Sequence, residues 1–209
     1  MTDGLEVRPA GDRALLLLPA NGVDAVVDRL RGTDVVGLED VLPAAETVLV
    51  TLDGSTDPGT VEKRLRRVLE DASSAPAAPA RDAEPVTITV RYDGEDLDDV
   101  ATLLGTTADE VVARHTGRVW RCRFVGFTAG FGYLKSEGDD LTVPRRDTSR
   151  TAVPAGAVAL ADGYSAVYPR RSPGGWQLIG TTDAPMWDLA RERPALLVPG
   201  SLVRFVRDG

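Results

Sequence analysis

Between Arg150 and Gly180 the chain reads RTAVPAGAVALADGYSAVYPRRSPGGWQLIG, strand-forming residues interrupted twice by proline with glycine. Proline fixes φ and glycine reaches φ > 0, so VPAGAV and SPGGWQ are predicted to be tight turns whose backbone N–H groups face a ligand. The Tyr168-Pro169 corner lies between them, and the combination reads as a built surface. From Arg118 onward no segment is long and periodic enough for a good helix. Short β segments between Gly/Pro turns predict a closed or sandwich-like barrel.

Upstream, VTITVRY alternates cleanly and is predicted to be a strand. Asp96 to Leu104 and Thr107 to His115 read as short helices separated by Gly105, and Thr107 with Glu110 has capping-box spacing. The stretch 72–84, ASSAPAAPARDAE, is rich in alanine, proline and serine without hydrophobic periodicity, and reads as a linker. Before it, LEVRPA and ALLLLP flank Gly11-Asp12 as a predicted hairpin. Val23, Val26, Val27 and Leu30 share a helical face, VVGLEDVL and TVLVTL are predicted strands, and a closing helix starts at Asp57-Pro58. The expected fold is thus an α+β N-terminal domain over 1–71, a linker over 72–84, and a mostly-β barrel over 85–209.

Formal net charge is −8 over 209 residues. Non-specific nucleic-acid binding needs a basic footprint, so this balance argues against it. A local arginine cluster for a small anion survives in such a chain. The start, MTDGLEVRPAGD, has no signal-peptide pattern, and no apolar run is long enough to span a bilayer. Cys122 is the single cysteine, which excludes an internal disulfide and fits a reducing cytoplasm, with the thiol packed in a strand. One histidine and one cysteine make no conventional zinc site, so no metal bound by this chain is expected.

GFTAGFGYLKS lacks the glycine directly before lysine that a P-loop requires, and Gly130-x-Gly132 lacks the third glycine of a dinucleotide fingerprint. His115, the only imidazole, reads either as a residue favoured by a helix C-terminus or as a general acid/base. Ser172 is not set in a nucleophile elbow. Its hydroxyl, with the amides of Gly174 and Gly175, reads instead as an anion-binding concavity, and Trp176 as core. Arg145, Arg146 and Arg150 crowd VPRRDTSR, and Arg170 and Arg171 precede Ser172. Guanidinium groups pair with carboxylate or phosphate, the alternative being a solvated loop. The acidic run DGEDLDD at 93–99 does not fit an EF-hand and reads as acids entering a helix N-terminus.

The order HTG…GFTAGFGYL…VPRR…SR…VPAGAV…YPR.SPGGWQLIG, with GDRALLL and GLEDVLPAAETVLVTLD upstream, resembles the family of 5-oxoprolinase B-subunits. That family includes the sensor-kinase inhibitor KipI and allophanate hydrolase subunit 1 proteins. The resemblance implies a cyclophilin-like β-barrel after the small N-terminal domain. It further implies a paired complex with a homologous C-subunit that, with an A-subunit, opens 5-oxoproline to glutamate using ATP and Mg2+ at the level of the complex. On it, His115 is expected to carry a proton, Arg145 and Arg150 to clamp the small carboxylate of the lactam, and Ser172, Gly174, Gly175 and Gln177 to line the pocket. A KipI-like inhibitor of a histidine kinase, docking through Phe127, Phe131 and Tyr133, is the alternative. Half of a urea-type carboxyltransferase is a further one, although the chain carries no biotinylation-type motif.

The chain departs from the family pattern at several positions. Ala129 replaces the proline of GFxPGF, and Lys135 and Ser136 stand where glycines follow YL. Ala157 replaces a serine, Tyr164 a glutamine and Thr181 an arginine. These changes remove polar contacts, while the turn-setting Pro154, Gly156, Pro173, Gly174 and Gly175 remain.

Overall fold

The computed structural model describes residues 5–20, 22–70, 84–138 and 140–209. By internal contacts the chain separates into two compact units, Met1–Asp82 and Ala83–Gly209. The expected linker lies outside the described residues except for Glu84.

In the first unit the elements are β1 (Leu5–Pro9), β2 (Ala14–Pro19), α1 (Val23–Arg31), β3 (Leu38–Pro43), β4 (Val48–Leu52) and α2 (Pro58–Glu70). The strands pair antiparallel in the order β1-β2-β4-β3. Alternation along β2 buries Leu15 and Leu17, and β4 buries Val48, Val50 and Leu52. Val27 and Leu30 of α1 and Val61 and Leu65 of α2 pack in the same core. Helix α2 starts where the sequence places it. The Asp57 carboxylate accepts the Thr60 N–H at 2.9 Å, and Pro58, with no N–H to satisfy, takes the first position.

The second unit contains β5 (Val86–Val90), α3 (Leu97–Leu103), α4 (Ala108–Thr116), β6 (Trp120–Val125), β7 (Gly132–Lys135), β8 (Arg150–Val153), β9 (Ala157–Ala161), β10 (Tyr164–Val167), β11 (Ser172–Gly174), β12 (Gln177–Thr181) and β13 (Leu202–Arg207). Thr107 caps α4 by accepting the Glu110 N–H at 3.2 Å. Seven strands form one sheet in the order β12-β9-β10-β7-β6-β13-β5, in which β13 and β5 run parallel.

Beyond its two edge strands the sheet nearly closes. The Arg91 N–H donates to Thr181 O at 2.8 Å, the Thr181 N–H returns to Arg91 O at 2.7 Å, and Thr182 Oγ1 donates to Thr89 O at 2.6 Å. Gly180 makes this seam possible, because a Cβ there would meet Arg91 O and stand 2.9 Å from Val90 Cγ1. Gly180→Ala is therefore expected to cost about 1–3 kcal/mol as an overpacking change. Hydrogen exchange at the Arg91 and Thr181 amides should accelerate first, and unchanged protection there would show that the seam tolerates the methyl.

Strand β9 explains how one sheet serves two cores. All five of its residues are buried, with Val158 and Leu160 facing Trp120, Val100, Val111 and Phe205. Ala157, Ala159 and Ala161 face the other way, toward Phe131, Tyr168 and Trp176. The small alanines leave the volume that these three rings fill.

One expected turn is not a turn. VPAG bends as predicted, with Gly156 at φ 82°. Ser172–Gly174, with Gly175 just beyond it, instead forms β11, paired antiparallel with β8 so that Ser172 lies opposite Val153 and Gly174 opposite Arg150. Glycine is needed there for space rather than curvature. A Cβ on Gly174 would run into the Tyr168 hydroxyl, and one on Gly175 would lie 2.8 Å from Ser149 Oγ. Among the described residues no helix is long and apolar enough to cross a membrane.

Candidate functional site

The β6–β7 hairpin loop, the Tyr168-Pro169 corner and the β8–β11 ribbon converge on a cavity of about 240 Å3. Its aromatic wall is Phe127, Phe131, Tyr133, Tyr168 and Trp176; Arg145, Ser149, Pro173, Gly174 and Gly175 complete it. The rings meet edge to face: Phe131 lies 5.2 Å from Tyr168 and 5.6 Å from Trp176, at 79° and 86°. Such packing suits ring quadrupoles and holds the wall rigid. Phe127 stands at φ 62°, a conformation costly for a bulky residue, with the Thr128 N–H donating to Gly126 O at 2.6 Å across it. The result is a phenyl ring 58% exposed. It also touches Phe131 and Tyr168, both of them wall residues.

Arg145 is the cation of this cavity, its Nε donating to Asp162 at 3.0 Å with 60% of the side chain exposed. Burial raises the pKa values of the Tyr133 and Tyr168 phenols, while the charge of Arg145 opposes that rise in both. The Tyr168 oxygen also accepts the backbone N–H of Trp176. Both phenols stay protonated at neutral pH, so the cavity offers a guanidinium and neutral hydroxyls between aromatic faces. An anion with a flat apolar body matches that lining better than a cation does.

Of the residues expected in the site, Arg145, Gly174 and Gly175 come together here. The others are placed differently. Ser172 lies next to the cavity in β11, its hydroxyl donating to Arg170 O at 3.1 Å. Gln177 is buried, its amide donating to Pro144 O at 3.1 Å, which supports the loop carrying Arg145.

Arg150, expected to clamp a ligand carboxylate, is paired with carboxylates of the chain itself. Asp96 keeps 2% of its side chain exposed and binds both Arg146 and Arg150, the latter at 2.7 Å, while its second oxygen accepts the Leu178 N–H at 2.7 Å. Arg150 Nε reaches Glu95 at 2.7 Å. The Arg146 N–H donates to Gly175 O at 2.7 Å, which ties this anchor to the cavity wall. Asp98 and Asp99 do sit in the first turn of α3, as the acidic run implies. Asp96, at the cap position, makes no side-chain cap bond and turns inward to the arginines.

His115 is also elsewhere. It is fully buried, stacked on Phe205 at 4.3 Å, with Nδ1 2.7 Å from the Tyr92 hydroxyl and Nε2 2.8 Å from Ser165 Oγ. Burial, and then the charge of Arg118, push its pKa down to about 3. A ring with both nitrogens engaged and no open face does not line this cavity, so the proton-carrier role finds no geometry here. Phe131 is likewise 2% exposed, which removes it from any docking surface. Cys122 is packed as expected, its thiol pushed up to about 12 by burial.

Two departures from the family pattern meet in space, the Lys135 ammonium lying 5.2 Å from the Tyr164 ring centre. A third, Thr181, donates to the Asp93 carboxylate at 2.9 Å beside the seam. On the first unit, a 730 Å3 cleft is lined by apolar residues such as Leu5, Leu18 and Val23 with the carboxylates Glu6 and Glu46, and no cation is among its described lining residues.

The carboxyltransferase domain, subdomain C and D, family model matches residues 5–197. The chain is 41% identical over 127 residues to the 5-oxoprolinase B-subunit of Haemophilus influenzae, covering 59% of this chain and 60% of that protein. It is 41% identical over 144 residues to the 5-oxoprolinase B-subunit of Escherichia coli O157:H7, covering 69% and 66%. The matches thus span less than two thirds of either relative. The crystal structure of TTHA0988 is similar over 98% of this chain and 41% of that one, at 34% identity and a TM-score of 0.75. With the cavity, the two-faced sheet and a match over nearly its whole length, the chain belongs to the carboxyltransferase domain family, subdomains C and D.

Proposed function

We propose that this chain is the B-subunit of an ATP-dependent 5-oxoprolinase, opening 5-oxoproline to glutamate together with the A- and C-subunits, and inactive alone. The observation that carries the reading is Arg145 beside an aromatic-walled cavity of about 240 Å3. 5-Oxoproline is a small flat ring bearing one carboxylate. Arg145 holds the carboxylate, and Phe127 and Tyr133, wall residues that keep exposed surface, pack the ring, backed by the buried Phe131, Tyr168 and Trp176. Gly174 and Gly175 let the Tyr168 hydroxyl and Ser149 sit close against the backbone of the wall. Among the described residues no group of three or more His, Cys, Asp or Glu could hold Mg2+. ATP and Mg2+ belong, on this reading, to the assembled complex, and no step of this chain is routed through them. The same reading assigns a cyclophilin-like barrel to the second unit, a separately folded α+β domain to the first, and a cytoplasmic setting.

The test is ring opening with the A- and C-subunits present. Activity should vanish without this chain, and Arg145→Ala should lower kcat/KM about 10- to 100-fold, the worth of one charge-assisted contact. Full activity without the chain sinks the reading, and full activity of the variant sinks the site. Exposed Phe127 favours the KipI-like alternative, inhibition of a histidine kinase. Loss of kinase autophosphorylation on adding this chain, reversed by Phe127→Ala, would establish that instead.

A further inference from the structure

Where β6, β7 and β13 meet, a second concavity of about 520 Å3 gathers Arg118, Arg121, Arg123 and Lys135 with Ser136, and Glu137 is the one carboxylate among its described lining residues. Four cations in one hollow are conspicuous in a chain of net charge −8. More telling is their register. Arg121 and Lys135 are direct cross-strand partners in the β6–β7 pair. Like charges placed opposite each other destabilise an antiparallel pair, and strand pairing alone gives no reason to put them there. The surroundings hold the cations in place. Arg118 is fixed by two bonds of 2.8 Å to Asp140, with its Nη1 3.4 Å from Ser136 Oγ. The Lys135 ammonium rests over Tyr164. Arg123 lies in the β6 bulge, half-buried, and burial lowers its pKa.

We propose that this concavity is a binding site for a small, multiply charged phosphorylated molecule, whose anionic oxygens lie between Arg121 and Lys135 and cancel their repulsion. A hollow rather than a long basic track favours a small molecule over nucleic acid. Arg118 is paired with Asp140, and the directly opposed Arg121 and Lys135 call for a ligand with more than one negative charge; guanidinium forks fit phosphoryl oxygens in pairs. None of these residues lines the Arg145 cavity. The proposal therefore stands or falls separately from the 5-oxoprolinase reading, and its readout is binding, not ring opening.

Titration calorimetry and thermal melts with pyrophosphate test it. Pyrophosphate should bind one to one and raise Tm, as any ligand of the folded state does. Arg121→Gln and Lys135→Gln should each weaken binding about tenfold or more. The same variants should leave the ligand-free Tm unchanged or higher, because each relieves the cross-strand repulsion; a merely structural role predicts a lower one. Arg145→Ala should bind pyrophosphate as the parent does. Absence of binding at millimolar pyrophosphate, unchanged binding in both variants, or selective binding of an acidic peptide would overturn the site. Equal binding of citrate would overturn its phosphoryl character.

Discussion

Asp96→Ala is expected to destabilise the second unit by about 3 kcal/mol, the lower end of the range for removing one partner of a buried ion pair. The carboxylate is 2% exposed and neutralises two guanidinium groups, so its removal leaves both without their shared counter-charge. The lower end applies because Arg146 keeps 34% of its side chain exposed and can rehydrate. Arg150, at 16%, keeps its surface contact with Glu95. Further cost arises because the buried Leu178 N–H loses its acceptor. Urea unfolding measures the loss. Asp96→Asn, which keeps an oxygen for Leu178, should fall between parent and alanine variant. A loss below about 1 kcal/mol for alanine would show that the arginines hold the loop without the acid. Because the Arg146 N–H reaches Gly175 O, the cavity wall should loosen along with the anchor.

Stability is expected to fall as pH drops below about 6.5, through His115. The unfolded chain protonates this ring near its ordinary value of 6.5, whereas the folded chain refuses the proton until about pH 3. Between those values the unfolded state holds more protons, so acid favours unfolding, by about 1.4 kcal/mol for each pH unit. Above about 6.5 the ring is neutral in both states and contributes no slope. Paired carboxylates such as Asp140, whose pKa is lowered first by its hydrogen bonds with Arg118, add their own loss at lower pH. The interval from about pH 6.5 to 5 therefore isolates the histidine and should cost about 2 kcal/mol. Urea midpoints at the two pH values test this, and His115→Gln should flatten the slope. A parent midpoint that does not move would mean that His115 reaches water in the folded state.

The order of strands and helices was legible because it is local: period-two alternation in VTITVRY, the Asp57-Pro58 start and the Thr107–Glu110 capping box each lie within a few residues. The site was legible in part. Arg145, Gly174 and Gly175 stood out as types, but the aromatic wall comes from residues between 127 and 176 that only sheet pairing brings together. Asp96 was hidden among equals. Its run holds five acids, and which one turns inward is decided by arginines 50 and 54 residues away. His115 shows the same limit. A helix end and a buried end look alike in ARHTG until Tyr92, Ser165 and Phe205 close over it. SPGG misled because glycine serves two needs, positive φ and absence of volume, and sequence does not separate them.

Placing β13 between β6 and β5 gives this unit an order of events. Strand β5 emerges first during synthesis, yet its in-sheet neighbour is the last strand, paired from Val86–Val203 to Val90–Arg207. Until residues 202–207 are made, β5 has no strand to join, and the Arg91–Thr181 bridge has no strand behind it. Pairings that span more than a hundred residues close a long loop before they are rewarded, which slows folding. On the ribosome, the β6–β12 hairpins can assemble while β5 waits, an unpaired edge exposed to other chains. The geometry that nearly closes the sheet thus makes β5 the last strand of the second unit to find its place.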